Sequence, residues 1–238
     1  MLEKPVEAVL FDMDGLLIDT EAVYIVALQA AARTLGREMP LDFCHSMIGV
    51  PGRECNVMIQ EFYGDGFHID QFRQQYSGHA RRLLETSIPL KPGVVELLDF
   101  LAGRRLPLAV ATSAGRATAE HHLGRAGLLD RFNAVATRDD VERPKPHPDV
   151  YLEAARRSGV APERCIAFED SNVGLAAAHA AGAMAFMVPD ILQPLPEVRT
   201  KCVDVLTDLH AALKLLKDEL WPCPISQHLS SSRLLAWR

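Results

Sequence analysis

From residue 94 onward, short apolar runs alternate with helical stretches of about ten residues, and that alternation narrows the fold more than any other property of the chain. Val94–Ala102 has helical spacing, and Leu106–Ala111 (LPLAVA) has the composition of a buried strand. Arg116–Ala126 reads as a helix, Phe132–Ala136 as a strand and Asp149–Ser158 as a helix after Pro-His-Pro. Arg164–Phe168 is the next strand, Val173–Ala181 a helix closed by Gly182, and Ala183–Val188 and Val203–Leu206 two further strands. Strands joined by helices imply right-handed βαβ units, hence an α/β domain with a parallel sheet. One more strand stands apart: Val6–Phe11, broken only by Glu7, runs straight into Asp-Met-Asp-Gly.

Between that first strand and the rest the pattern is purely helical. Glu21–Gly36 is rich in Ala, Leu and Gln, and Pro40–Glu85 is amphipathic with Gly49, Gly52, Gly64 and Gly66 as punctuation. Pro89, Pro92 and Gly93 mark a joint. The expected organisation is therefore an α/β domain from 1–20 and 88–220, an inserted helical domain at 21–87, and a tail at 221–238 that follows neither pattern. Joints are expected near Asp19–Glu21 and Ser87–Pro92.

With 238 residues, 48% hydrophobic, the chain can bury a substantial core but is too short for three ordinary domains. A formal charge of -6 without a basic tract argues against a nucleic-acid partner. No apolar run approaches the roughly 18 residues of a bilayer span, and the N-terminus lacks a signal-peptide pattern, so no membrane partner is expected. Cys44, Cys55, Cys165, Cys202 and Cys223 are scattered and read as free thiols in a reducing cytoplasm.

In open α/β sheets, ligands bind beyond the carboxyl ends of the strands. Asp12 and Asp14 follow the first strand, Thr112 and Ser113 follow LPLAVA, Lys145 lies in the loop after the next strand, and Glu169 and Asp170 follow RCIAF. Each has a plainer reading alone: Thr112-Ser113 as a helix cap, Lys145 as a solvated loop charge, Glu169-Asp170 as acids favouring a helix start. Together they suit phosphoryl transfer. A carboxylate can attack a phosphate dianion only if their repulsion is suppressed. A hard cation held by carboxylates and a lysine suppress it, and a hydroxyl with backbone N–H groups fixes the remaining oxygens. A covalent aspartyl-phosphate divides hydrolysis into two easier steps, with a second carboxylate moving the protons.

FDMDGLLIDTE resembles motif I of the haloacid dehalogenase (HAD) superfamily. VATSAG resembles its second motif, the lysine of RPKPHPD its third and FEDSNVG its fourth. The set, spread over roughly residues 6–210, is similar to the β-phosphoglucomutase-like branch, which includes phosphatases related to pseudouridine-5′-phosphatase. The resemblance implies a Rossmann-like core with an inserted helical cap, Mg2+ as cofactor, and a small phosphorylated metabolite as substrate: a sugar phosphate, polyol phosphate or nucleoside monophosphate. It implies Asp12 as nucleophile and metal ligand, and Asp14 as general acid/base that also gives a backbone carbonyl to magnesium. Thr112 and the Ser113 backbone would bind the phosphoryl group, Lys145 would steady Asp12 and the phosphate, and Asp170 with Glu169 would complete the metal site. In the cap, Arg53 in MIGVPGRE and Tyr24 are the candidate substrate contacts. Tyr24 stands where the branch's mutases have histidine, which argues against mutase activity. His147, between two prolines, is expected to be structural, and His121-His122 to lie on an exposed helix. The competing readings are a phosphosugar mutase, a phospho-receiver domain, which would lack the helical insertion, and a dehalogenase, which would need neither Asp14 nor magnesium. The expected state is a monomer or weak dimer.

Overall fold

A computed structural model describes residues 5–48, 50, 52–86 and 88–219. The tail expected at 221–238, with Cys223, lies outside the described residues. Six parallel strands form one sheet: β1 (Ala8–Phe11), β2 (Leu108–Ala111), β3 (Ala134–Ala136), β4 (Cys165–Glu169), β5 (Met184–Met187) and β6 (Asp204–Val205), in the order β3-β2-β1-β4-β5-β6. The α-helices in chain order are α1 (Thr20–Thr34), α2 (Leu41–Ser46), α3 (Gly52–Tyr63), α4 (Ile69–Thr86), α5 (Val94–Ala102), α6 (Arg116–Arg125), α7 (Asp149–Ser158), α8 (Asn172–Ala180), α9 (Pro196–Arg199) and α10 (Leu209–Glu219). The fold is α/β.

The two sheet faces are packed differently, because successive strand residues point to opposite sides. Val9, Phe11, Val110, Ile166, Phe168 and Phe186 face the side covered by α5, α6 and α10, with Leu97, Leu98, Leu123 and Leu216. Ala8, Leu10, Ala109, Ala111, Ala167 and Ala185 face α7 and α8, and this mostly alanine surface accommodates Tyr151, Ala154, Leu175 and Ala178. All four strands that flank the middle of the sheet are thus apolar on both faces, as helix-covered parallel strands must be.

Helices α1–α4 bury a core of their own: Ala31, Ala32, Met39, Cys44, Met47, Ile59, Phe67 and Phe72. The chain enters and leaves this unit side by side. Asp19 donates its backbone N–H to Pro89, Lys91 donates to Leu17, and Ile18 bridges Leu90. Lys91 ties the exit to the α/β body with a 2.6 Å ion pair to Asp190 and lies 3.9 Å from Asp19 at the entrance. Among the described cysteines all four are free, two of them buried and two half-buried. No helix of the described residues is long and apolar enough to cross a membrane.

Candidate active site

Strand order decides where the site stands. From β1 the chain builds outward through β2 and β3, then returns to the other side of β1 with β4. At such a switch the loops diverge in opposite directions and leave a crevice beyond the strand ends. Phe11 is in register with Phe168, so Asp12 emerges beside Glu169, and its backbone N–H donates to Phe168 O at 3.0 Å.

Lys145 Nζ comes from the loop after β3 to bridge the two. It donates to Asp12 Oδ1 and to Glu169 Oε1, each at 2.5 Å, with the three side chains 5%, 10% and 0% exposed. Tyr151 of α7, wholly buried, donates its hydroxyl to Glu169 Oε1 at 2.8 Å, and its ring centroid lies 5.1 Å from Lys145 Nζ. The other oxygen of Glu169 accepts the hydroxyl and backbone N–H of Ser171 at 3.0 and 3.3 Å. Glu169 therefore has both oxygens engaged by protein donors, and its main effect is to anchor Lys145.

Asp12, Glu169 and Asp170 offer ligand oxygens all within 4.8 Å of one another. Three carboxylates facing one lysine carry two negative charges beyond what Lys145 balances, and an all-oxygen donor set is the kind a hard divalent cation prefers. Burial, partly offset by Lys145 and reinforced by Glu169, pushes Asp12 up to about 8. Burial together with the charges of Asp12 and Glu169 pushes Asp170 up to about 9. Burial pulls Lys145 the other way, but Asp12 and Glu169 outweigh it and hold the ammonium firmly protonated. A cation among these carboxylates relieves the crowding directly. A hard divalent cation fits the residues present, with Asp12 and Asp170 the freer carboxylates.

Asp170 can lean over the first loop only because position 15 is glycine. Gly15 has φ +81°, and a Cβ there would overlap Asp170 Oδ2.

Asp14 stands at the open side of the cluster with its side chain 40% exposed. Its Oδ1 accepts from Thr20 Oγ1 at 3.0 Å and lies 3.9 Å from His122 Nδ1. Burial raises its pKa, and the Thr20 bond opposes the rise. Thr112, 1% exposed, extends β2 and uses Oγ1 to accept the Ala114 N–H at 3.0 Å, which shapes the loop leading into α6; Ser113 beside it is exposed.

The family follows from this geometry together with one further finding: residues 9–188 match the family model described as haloacid dehalogenase-like hydrolase. The chain belongs to the haloacid dehalogenase-like hydrolases. A phosphorylated carbohydrates phosphatase of Thermotoga maritima is 35% identical over 176 residues, 74% of this chain and 82% of that one. A Drosophila melanogaster protein named Probable pseudouridine-5′-phosphatase is 30% identical over 220 residues, 90% of this chain and 93% of that one. The crystal structure of a HAD family hydrolase from Deinococcus radiodurans R1, with bound phosphate and sodium, superposes with a TM-score of 0.77 at 28% identity, covering 90% of this chain and 96% of that chain.

Within this HAD chain the cap candidates separate. Tyr24 lies between two cavities. One, of about 270 Å³, is lined largely by apolar side chains of α1–α4, with Glu21, Asn56, Arg73 and Tyr76 as polar members. The other, of about 410 Å³, lies between α1 and α4 on one side and α6 on the other. Burial, with Asp14 and Glu21 nearby, raises the Tyr24 pKa. Arg53 is exposed on α3 and lines neither cavity. His147 is exposed in its loop. The expectation for His121-His122 needs correcting. His122 is 5% exposed, because it shares the inward face of α6 with Ala119 and Leu123. Tyr151 and His122 are the site neighbours that lie outside the four motifs, and Thr20 lies within the first of them.

Proposed function

We propose that this HAD hydrolase is a magnesium-dependent phosphomonoesterase that acts on small phosphorylated metabolites through an aspartyl-phosphate at Asp12. The observation that carries this reading is the Asp12 carboxylate, held by a buried lysine and flanked by Asp170 at the sheet's switch point. The names of the Thermotoga and Drosophila relatives support a phosphate ester as substrate. Sugar phosphates, polyol phosphates and nucleoside monophosphates are the candidate classes.

In this reading residues 1–20 and 88–220 form the core and 21–87 the cap. Asp12 and Asp170 hold Mg2+, which when bound neutralises phosphate and carboxylate charge. Thr112 and the backbone N–H groups after it grip the phosphoryl oxygens, and Lys145 fixes Asp12 Oδ1 while adding positive charge. Asp12 attacks phosphorus; its O–P bond forms as the ester O–P bond breaks, and Asp14 passes a proton to the departing alcohol. A water then attacks the phosphoaspartate, giving its proton to Asp14. As the water oxygen bonds to phosphorus the Asp12 O–P bond breaks, which releases inorganic phosphate and leaves Asp12 as a carboxylate and Asp14 protonated again. Tyr24 contacts the leaving group, and Arg53 does so only when the cap brings α3 closer. The free thiols fit a cytoplasmic setting.

The test is phosphate release from a panel of phosphorylated metabolites, with magnesium and with chelator, for wild type and Asp12→Asn. Release that requires both magnesium and Asp12 supports the reading; release unaffected by Asp12→Asn refutes it. Isomerisation of a hexose 1-phosphate without phosphate release would favour the mutase instead.

A further inference from the structure

His122 is a buried histidine with an unexplained side. Its Nδ1 has no hydrogen-bond partner among the described residues, although a buried donor left unpaired costs about 1–3 kcal/mol. The nearest acceptor it faces is catalytic: Asp14 Oδ1 at 3.9 Å. That separation is roughly 1 Å longer than a hydrogen bond. Hydrogen bonds of catalytic groups are often long without substrate and tighten in the reacting complex.

The frame around the ring is rigid. The turn before α6 is fixed by Thr112 Oγ1, which accepts the Ala114 N–H, and α6 begins with Arg116, which bonds Asp139 through its backbone N–H and Asp140 through its guanidinium. Ala119 and Leu123 seat the inward face of α6 in the core beside His122. The same ring lines the cleft between α6 and α1/α4 with Tyr24, Leu84 and Thr118, on the side from which a leaving group would enter.

Asp14 is approached asymmetrically. Thr20 and His122 both address Oδ1, while Oδ2 accepts no hydrogen bond among the described residues. We propose that His122 is a positioning residue: together with Thr20 it pins Oδ1 of Asp14, so that Oδ2 is presented to the leaving oxygen of the ester. The neutral ring with its proton on Nδ1 suffices for this. Without His122, Thr20 alone holds the carboxyl, which then turns about Cα–Cβ, and proton delivery loses its aim. This inference rests on the phosphatase reading above.

Proton delivery matters most when the departing oxygen is a poor leaving group, so a leaving-group series separates aim from structure. The assay measures kcat/KM, which reports formation of the phosphoaspartate, on phenyl phosphate, 4-chlorophenyl phosphate and 4-nitrophenyl phosphate. We expect His122→Leu to lower kcat/KM about 10–100-fold on phenyl phosphate and less than about 3-fold on 4-nitrophenyl phosphate, whose phenolate departs unaided. His122→Asn, which carries an amide donor at the Nδ1 position, should recover most of the loss. An equal loss along the series, or no loss, would overturn the proposal. If His122→Leu does not fold, His122→Asn and His122→Gln are compared instead. Gln shifts the donor toward Nε2, and it alone should steepen the series; identical series for the two would overturn the proposal. Asp12→Asn run on the same esters keeps the two readings apart: survival of its activity removes the phosphatase reading, whereas a flat His122 series beside an inactive Asp12→Asn removes only this one.

Discussion

Lys145→Met tests the centre of the site with little change of volume. In the folded protein the ammonium sits 2.5 Å from oxygens of both Asp12 and Glu169, with all three side chains at most 10% exposed. At an effective dielectric of about 20, each contact represents several kcal/mol of attraction, much of it offset by desolvation. Removing one partner of a buried ion pair leaves the other uncompensated and costs about 3–5 kcal/mol. Here two carboxylates are left, beside a third that is already crowded. Burial already holds Asp12 up to about 8 in the folded protein, above the unfolded value near 4, and loss of the Lys145 charge raises it further. The variant's folded state then keeps a proton that wild type releases near pH 8, so the variant loses stability relative to wild type as pH rises above about 8. The penalty should therefore be larger at pH 9 than at pH 6. Urea unfolding of wild type and variant at both pH values, in chelator, reads it as a shift of midpoint at constant slope. Activity should fall about 10²–10³-fold in kcat/KM, the scale of removing one preorganised electrostatic contact. A variant as stable as wild type at pH 9, or equally destabilised at both pH values, would refute the electrostatic account of the cluster.

Two other perturbations follow from the same geometry. Gly15→Ala forces a Cβ into the space of Asp170 Oδ2 at a positive φ. It should cost about 1–3 kcal/mol and weaken magnesium activation about 10–100-fold, and an unchanged magnesium titration would show that Asp170 is free to move. Asp140, 16% exposed, accepts from Thr137, Arg116 and Arg157. Burial raises its pKa, but those bonds outweigh burial and hold it below the usual carboxylate range, so its stabilisation is present above about pH 4 and lost on acidification. Asp140→Asn should thus lower the urea midpoint at pH 7 and by less at pH 3, where the unfolded carboxyl is protonated; a difference that grows on acidification would contradict this.

How much of this is legible in the chain follows the distance over which each signal acts. Asp149–Ser158 forms the helix read from its periodicity, residue for residue, because an apolar face and a Pro start are local properties. The strand read as Leu106–Ala111 begins at Leu108: Pro107 has no N–H to give the ladder, and its carbonyl accepts from Val9 instead. The strand read from Val6 begins at Ala8, where both sheet faces first become covered. Asp12, Lys145 and Asp170 are visible as a motif set, whereas Tyr151 is not, since nothing local marks a hydroxyl whose partner, Glu169, is a carboxylate on another element; Thr20 lies within FDMDGLLIDTE, but its bond back to Asp14 depends on how that loop folds. His122 did carry a signal: it is one residue from Leu123 and three from Ala119, which places it on the inward face of α6. The side-by-side histidines hid that periodicity.

The sheet explains why the chemistry had to be assembled from such distant segments. Lys145 and Asp12 are 133 residues apart in sequence, yet the loop after the edge strand β3 reaches past β2 to the end of β1. Asp12 and Glu169 stand at the ends of strands buried on both faces, so they inherit the rigidity of the core. Three carboxylates and a lysine can then be crowded more closely than a mobile surface would tolerate. The crowding itself favours protonated carboxyls over ionised ones, which is the wrong state for the nucleophile proposed at Asp12. A divalent cation held there would reverse that preference, so in the proposed reading the crowding would tie an ionised Asp12 to the arrival of metal. The side proposed for the leaving group follows a different rule. Tyr24 and the buried His122 line the cleft between the helical unit and α6, and Asp14, 3.9 Å from His122, keeps its side chain 40% exposed to solvent.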